Sequence, residues 1–180
     1  MPAFVALLRA VNLGAHNKIS MADLKAVAAV CGFSGAKTLL QSGNLVFEAK
    51  GKTPAALEKV LEAALAKELR LETPVVVRSA AEWRAALAEN PFPKQAKSDP
   101  SHLLVMPLKA KCDKAALGEL SRAIVGREQV KMSGQQLYFV YPDGIGESKL
   151  TAALIEKKIG VTGMARNWNT AHKILAALEA

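Results

Sequence analysis

Thr38-Leu39-Leu40-Gln41-Ser42-Gly43-Asn44-Leu45-Val46-Phe47 holds two short apolar runs on either side of a Ser-Gly-Asn turn. That pattern predicts a β-hairpin, because strand-sized apolar runs broken by a glycine-bearing turn favour pairing of neighbouring strands. Gly43 supplies the positive φ that a tight turn needs. The pattern returns later in the chain as Gln129-Val130-Lys131-Met132, then Ser133-Gly134-Gln135, then Leu137-Tyr138-Phe139-Val140. Residues 41–47 lie over residues 132–138 when the two Ser-Gly pairs are superposed. Each hairpin follows a strand and a helix and precedes a helix and a strand. The order β-α-β-β-α-β is therefore expected twice.

Working outward from the first hairpin, Phe4-Val5-Ala6-Leu7-Leu8 reads as a buried central strand. Ser20, three residues before Asp23, resembles a capping box, and Met21, Leu24, Val27, Ala28 and Cys31 recur at helical spacing until Gly32. Thr53-Pro54 opens a second helix with Leu57, Leu61, Leu65 and Leu69 on one face. Thr73-Pro74 is expected to end it, and Val75-Val76-Val77 is the fourth strand. A short helix follows from Ser79, with Glu82 three residues on and Trp83 and Leu87 facing the core. The prolines and scattered charges of residues 90–100 predict a linker.

Around the second hairpin, His102-Leu103-Leu104-Val105-Met106 is a strand and Asp113 caps a helix with Ala116, Leu117, Leu120 and Ile124. A helix starting at Ser148 carries Leu150, Leu154 and Ile155. Thr162-Gly163-Met164-Ala165-Arg166 is a short strand, and a last helix takes Ile174, Leu175 and Leu178. The expected fold is α+β, with two tandem ferredoxin-like subdomains, each an antiparallel sheet with two helices on one face. Their expected bounds are 1–78 and 101–180, with the short helix and Pro-rich linker at 79–100.

Composition narrows the class. The chain has 180 residues, 51% apolar and 22% charged, a globular mix that disfavours disorder. Its apolar runs are strand-sized, so no membrane span is expected. The start, Met1-Pro2-Ala3-Phe4-Val5, lacks the layout of a signal peptide, and a cytoplasmic location is expected. Cys31 and Cys112 each stand without a second ligand nearby, which predicts buried free thiols rather than a zinc site. No cofactor motif is present. The net charge of +8 attracts phosphates, nucleic acid or acidic partners, although the lysines are scattered in the manner of a solvated surface.

Three clusters have the chemistry for recognition. In the split unit the first and third strands are antiparallel neighbours, so the end of the first strand lies beside the hairpin turn. Arg9, Asn12, Asn17 and Lys18 then gather with Gln41, Ser42 and Asn44 at one rim of the sheet, where cations and amides can hold a phosphate. Turn chemistry alone also accounts for most of these residue types. The second cluster is Arg166-Asn167-Trp168-Asn169-Thr170. Here an Asn can cap the last helix and Trp168 can dock it, or Trp168 can stack on a ligand while Arg166 clamps a phosphate. The third, Asp143-Gly144-Ile145-Gly146-Glu147-Ser148-Lys149, lacks the spacing of a nucleotide loop, and a helix cap at Ser148 is expected there. His16, His102 and His172 have no flanking partner that marks a general base, and no catalytic residue is assigned. His172 falls on the helical face of Trp168.

Leu7-Leu8-Arg9-Ala10-Val11-Asn12-Leu13-Gly14 with Asn17-Lys18, then Gln41-Ser42-Gly43-Asn44, then Ala165-Arg166-Asn167-Trp168-Asn169-Thr170 together resemble the domain of unknown function 1697 family, a group of uncharacterised bacterial proteins. The likeness runs over nearly the whole chain. It implies a two-subdomain ferredoxin-like structure and no particular reaction.

The functional expectation is a binding module for a phosphate-bearing small molecule or for nucleic acid. The alternative is a small-molecule enzyme with a polar cleft between the two subdomains. Phe47, Tyr138, Phe139 and Tyr141 invite comparison with RNA-recognition sheets. The aromatic-glycine-aromatic signature of those sheets is missing, however, and the adjacent Tyr138 and Phe139 point to opposite faces.

Overall fold

The computed structural model describes residues 1–9, 19–39 and 43–180. The fold is mixed α+β, with two four-stranded antiparallel sheets and seven α-helices among the described residues. The chain divides into two compact units, Met1–Arg84 with Ile174–Ala180, and Ala85–Lys173.

The first unit runs β1 (Ala3–Leu8), α1 (Met21–Val30), β2 (Ser34–Leu39), β3 (Asn44–Glu48), α2 (Pro54–Leu69) and β4 (Val75–Ser79). Its sheet has the order β2-β3-β1-β4, so the first strand of the chain is interior. Local chemistry starts both helices where the sequence predicts. Ser20 Oγ accepts from the Asp23 amide at 3.0 Å, and Thr53 Oγ1 accepts from the Ala56 amide at 3.2 Å. The end of α2 differs from expectation. It stops at Leu69, before Thr73-Pro74, because Arg70 adopts a left-handed φ of 52° and the Leu71 amide turns back to the Leu65 carbonyl.

The core of this unit lies between the two helices and one sheet face. Leu24, Val27 and Ala28 of α1 and Leu57, Leu61 and Leu65 of α2 pack on Phe4, Ala6, Leu8, Leu45, Phe47, Val75 and Val77. Phe33 stacks on Phe47 with ring centroids 4.3 Å apart. On the opposite face Val5, Leu7, Val46 and Val76 are also buried.

β4 is an edge strand, and its outward amides need acceptors. Two carboxylates of α2 provide them. Glu62 Oε1 accepts from the Val75 amide at 2.9 Å and Glu58 Oε1 from the Val77 amide at 3.0 Å. Glu58 is buried for this purpose.

The chain leaves β4 directly into α3 (Ala80–Ala88) through a reciprocal capping box. The Ser79 amide donates to Glu82 Oε2 at 2.7 Å and the Glu82 amide to Ser79 Oγ at 3.2 Å. Trp83 on this helix is fully buried, as its apolar spacing predicts.

The stretch read as a linker is more ordered than expected, since it contains α4 (Pro93–Ser98) and a 3₁₀ turn, Pro100–His102. Proline at the first helical position needs no amide partner, which favours a start at Pro93. The Asn90 side chain brackets Phe92 by accepting from its amide and donating to its carbonyl. The buried Phe92 ring lies under the Lys131 ammonium, 4.8 Å from its centroid.

The second unit continues with β5 (Leu103–Pro107), α5 (Lys114–Ala123), β6 (Gln129–Ser133), β7 (Gln136–Val140), α6 (Ala152–Ile159), β8 (Arg166–Asn167) and α7 (Trp168–Glu179), which runs on into the first unit. Its sheet has the order β6-β7-β5-β8. Asp113 caps α5 as expected, with Oδ1 accepting from the Ala116 amide at 2.7 Å. The start of α6 is Thr151, not Ser148; Thr151 Oγ1 accepts from the Leu154 amide at 3.2 Å. Ser148 is drawn elsewhere, donating to Glu128 Oε1 at 2.6 Å. Gly163 is a point of close approach, since a Cβ there would meet Leu108 and Met106 side chains at 2.7 and 2.8 Å and those side chains would have to shift.

The two sheets show the sequence repeat with a one-residue shift. Leu7 pairs with Asn44 and Pro107 with Gln136. Beyond these pairs the Leu8 amide donates to the Gly43 carbonyl at 2.9 Å and the Leu108 amide to the Gln135 carbonyl at 3.0 Å. Gly43 thus corresponds to Gln135, and Asn44 to Gln136 rather than to Gln135.

Replacing Glu58 with alanine leaves the buried Val77 amide without its acceptor and should destabilise the protein by about 1–3 kcal/mol. Glu58→Gln keeps an acceptor oxygen and should lose markedly less. Urea denaturation of the two variants measures the difference.

Candidate functional site

The first candidate site is the rim where β1 ends. The Leu7–Asn44 pairing and the Leu8-to-Gly43 hydrogen bond bring the chain out of β1 beside the start of β3, so Arg9 and Asn44 share one end of the sheet. Arg9 is half-buried. Asn44 is fully buried, and its Nδ2 donates to the Leu39 carbonyl at 3.0 Å, which ties the end of β2 to the start of β3. Asn12, Asn17, Lys18, Gln41 and Ser42 lie outside the described residues.

The second candidate site is the junction of β8 and α7. Asn167 caps the helix. Its Oδ1 accepts from the Asn169 amide at 2.9 Å while its Nδ2 donates to the Ser101 carbonyl at 2.8 Å. Trp168 is only 5% exposed and meets the His172 ring edge-on at 5.2 Å, so both lie on one helical face. Arg166 is 8% exposed, and Nη1 donates to the Ala165 carbonyl at 2.9 Å. Burial pushes its pKa down to about 10. Asn167 borders a cavity.

That cavity has a volume of about 250 Å³ and is lined by Ser101, His102, Leu104, Tyr141, Gly144, Ile145 and Asn167. The 3₁₀ turn before β5 forms one wall. His102 Nδ1 lies 2.6 Å from Asp99 Oδ2, and Ser101 Oγ donates to Asp99 Oδ1 at 3.0 Å. The hydrogen bond from His102 holds the Asp99 carboxyl below its usual range, with Ser101 adding to the effect. The expectation that His102 has no flanking partner is therefore corrected. Asp99-Pro100-Ser101-His102 sets acid and imidazole three apart in one turn, and that spacing is the signal that reading the stretch as a linker hid.

The glycine-bearing loop after β7 forms the other wall. It is held at one end by Arg127, whose Nε donates to Asp143 Oδ2 at 3.1 Å, and at the other by the Ser148–Glu128 bond. Tyr141 Oη donates to the Leu150 carbonyl at 2.9 Å.

The sheet aromatics are not a platform for bases. Phe47, Tyr138, Phe139 and Tyr141 are all at most 2% exposed, and Tyr138 Oη donates to the Ala86 carbonyl at 2.6 Å. Tyr138 and Phe139, being adjacent, occupy opposite faces as the strand period requires. Cys112 is buried and Cys31 half-buried, both free, and burial raises both thiol pKa values. Among the described residues no three His, Cys, Asp or Glu side chains gather as a metal ion would need. Nor is any described helix long and apolar enough to cross a membrane.

Comparison with known proteins agrees with this architecture. A family model described as "Protein of unknown function (DUF1697)" matches residues 1–138, so the Arg166-Asn167-Trp168 segment lies beyond the matched range. No curated protein matches the chain. The solved structure of the conserved bacterial protein SP0830 from Streptococcus pneumoniae is similar in fold, with a TM-score of 0.77 at 18% identity over 98% of each chain.

The two tyrosines of the chain, Tyr138 and Tyr141, are both pushed up to about 12 by burial. Ultraviolet titration should show no tyrosinate at pH 10 in the folded protein. A raised pKa in the folded state contributes stability below the unfolded value of 10 and loses it as pH climbs towards 12. Unfolding and phenol ionisation should therefore coincide in that window.

Proposed function

The chain belongs to the DUF1697 family of proteins of unknown function, and on that premise we propose that it binds a phosphate-bearing small molecule at the rim where β1 meets β3. The observation that carries this reading is the Leu8-to-Gly43 hydrogen bond, which sets Arg9 beside the glycine turn. The site would comprise Arg9, Asn12, Lys18, Gln41, Ser42 and Asn44. Arg9 and Lys18 supply charge, the amides and hydroxyl supply hydrogen bonds, and Gly43 lets an anion approach backbone. Asn44, already bonded to Leu39, would position the turn. In the second unit Arg166, Asn167 and Trp168 would form a further ligand-binding cluster, with Arg166 supplying charge and Trp168 an aromatic face. The overall charge of +8 would steer anions toward the protein.

Each unit is proposed to be a ferredoxin-like fold. The strand orders β2-β3-β1-β4 and β6-β7-β5-β8, the antiparallel pairing and the placement of a helix before and after each hairpin support this. The second unit also has a basic residue, Lys109, directly after the hydrogen bond equivalent to that of Leu8. Nucleic acid fits less well, since the sheet aromatics that would stack on bases are buried.

Inorganic pyrophosphate should raise the melting temperature of the protein. Arg9→Ala should weaken its binding by about tenfold or more, the loss expected for a charge-assisted hydrogen bond. A shift that survives in Arg9→Ala would place the anion elsewhere, and the absence of any shift with the parent protein would remove the reading.

A further inference from the structure

We infer that the cavity between the Asp99–His102 turn and the loop after β7 is a second ligand site, suited to a small compound with an apolar body and one hydroxyl group. It shares no residue with the β1–β3 rim, so it stands or falls independently of the phosphate reading.

The size and walls set the body of the ligand. A volume of about 250 Å³ is well above the share of a single water, roughly 30 Å³, and suits a molecule of about one ring. Leu104, the Tyr141 ring and Ile145 give it an apolar lining. Ile145 is 57% exposed, so its side chain borders both the cavity and solvent. The loop that carries it is tied to Arg127 through Asp143 and to Glu128 through Ser148.

The polar groups set the head. The Tyr141 hydroxyl donates to Leu150, the Ser101 hydroxyl to Asp99, and the Gly144 amide to the Tyr141 carbonyl. Asn167 is engaged through both Oδ1 and Nδ2. The imidazole differs. Asp99 engages Nδ1, which leaves Nε2 as the ring nitrogen for a ligand. In the tautomer that donates Nδ1–H to Asp99 and carries no second ring proton, Nε2 presents a lone pair. The complementary ligand group is a donor, and a hydroxyl on an apolar body meets both requirements.

Phenol, toluene and benzoate distinguish the possibilities, with carbon-detected shifts of the Leu104 and Ile145 methyls and the His102 ring as the readout. Phenol should move all three sets of signals. Toluene, which fills the same space without a donor, should bind about tenfold more weakly, equivalent to ~1.4 kcal/mol. His102→Ala should bring phenol down to the level of toluene. Should that variant fail to fold, Asp99→Asn tests the same contact. An Asn amide donating to Nδ1 moves the ring proton to Nε2, so the preference for phenol should vanish and long-range nitrogen–proton correlations should show the changed tautomer. In both variants the response to pyrophosphate should be unaltered. Equal affinity for phenol and toluene, tighter binding of benzoate, or unmoved Leu104 and Ile145 methyls up to the solubility limit would each overturn the assignment.

Discussion

The hydrogen bond from the amide at the end of an interior strand to the carbonyl just before its hairpin partner organises each half of this protein. It occurs as Leu8 to Gly43 and again as Leu108 to Gln135. It closes the register at the end where the strand becomes loop. A one-residue slip would turn every apolar side chain of β1 to the other face. Phe4, Ala6 and Leu8 would then leave the helices they pack against, and Arg9 would leave the rim. Fold and candidate site therefore depend on the same register.

Side chains of the helices then protect what the sheets leave open. In the first unit Glu58 and Glu62 satisfy the outer amides of β4, which would otherwise be a template for another strand. In the second unit β8 is only two residues long, and Asn167 ends it by capping α7 while binding the turn before β5. Short or covered edges reach the same result by different local chemistry.

Much of this was legible because it is local. Ser20, Thr53, Asp113 and the Ser79–Glu82 box each act within three residues, and each begins a helix as its type predicts. Ser148 looked equally suitable, but its hydroxyl is taken by Glu128, twenty residues away in sequence, and Thr151 caps instead. The helix at Pro93–Ser98 was hidden because the packing of Phe92 beneath Lys131, a distant contact, holds its start. The hairpin alignment slipped by one because identity favours superposing the two Ser-Gly pairs, whereas the sheets align on Asn44 and Gln136, the first paired residues of β3 and β7. The rim at Arg9 followed from topology alone. The Asp99–His102 pair did not, because its only signal is an i,i+3 spacing inside a proline-rich stretch without periodicity, where nothing local says that the two side chains meet.

The most direct measurement is the through-hydrogen-bond scalar coupling between the Leu8 amide nitrogen and the Gly43 carbonyl carbon, with the Leu108–Gln135 coupling as its internal counterpart. Both couplings should be observed in the same sample, with both amides strongly protected from solvent exchange. A Leu8 amide that exchanges at the rate of an unstructured peptide, or that couples to a carbonyl other than Gly43, would contradict the register on which the first sheet and its rim depend.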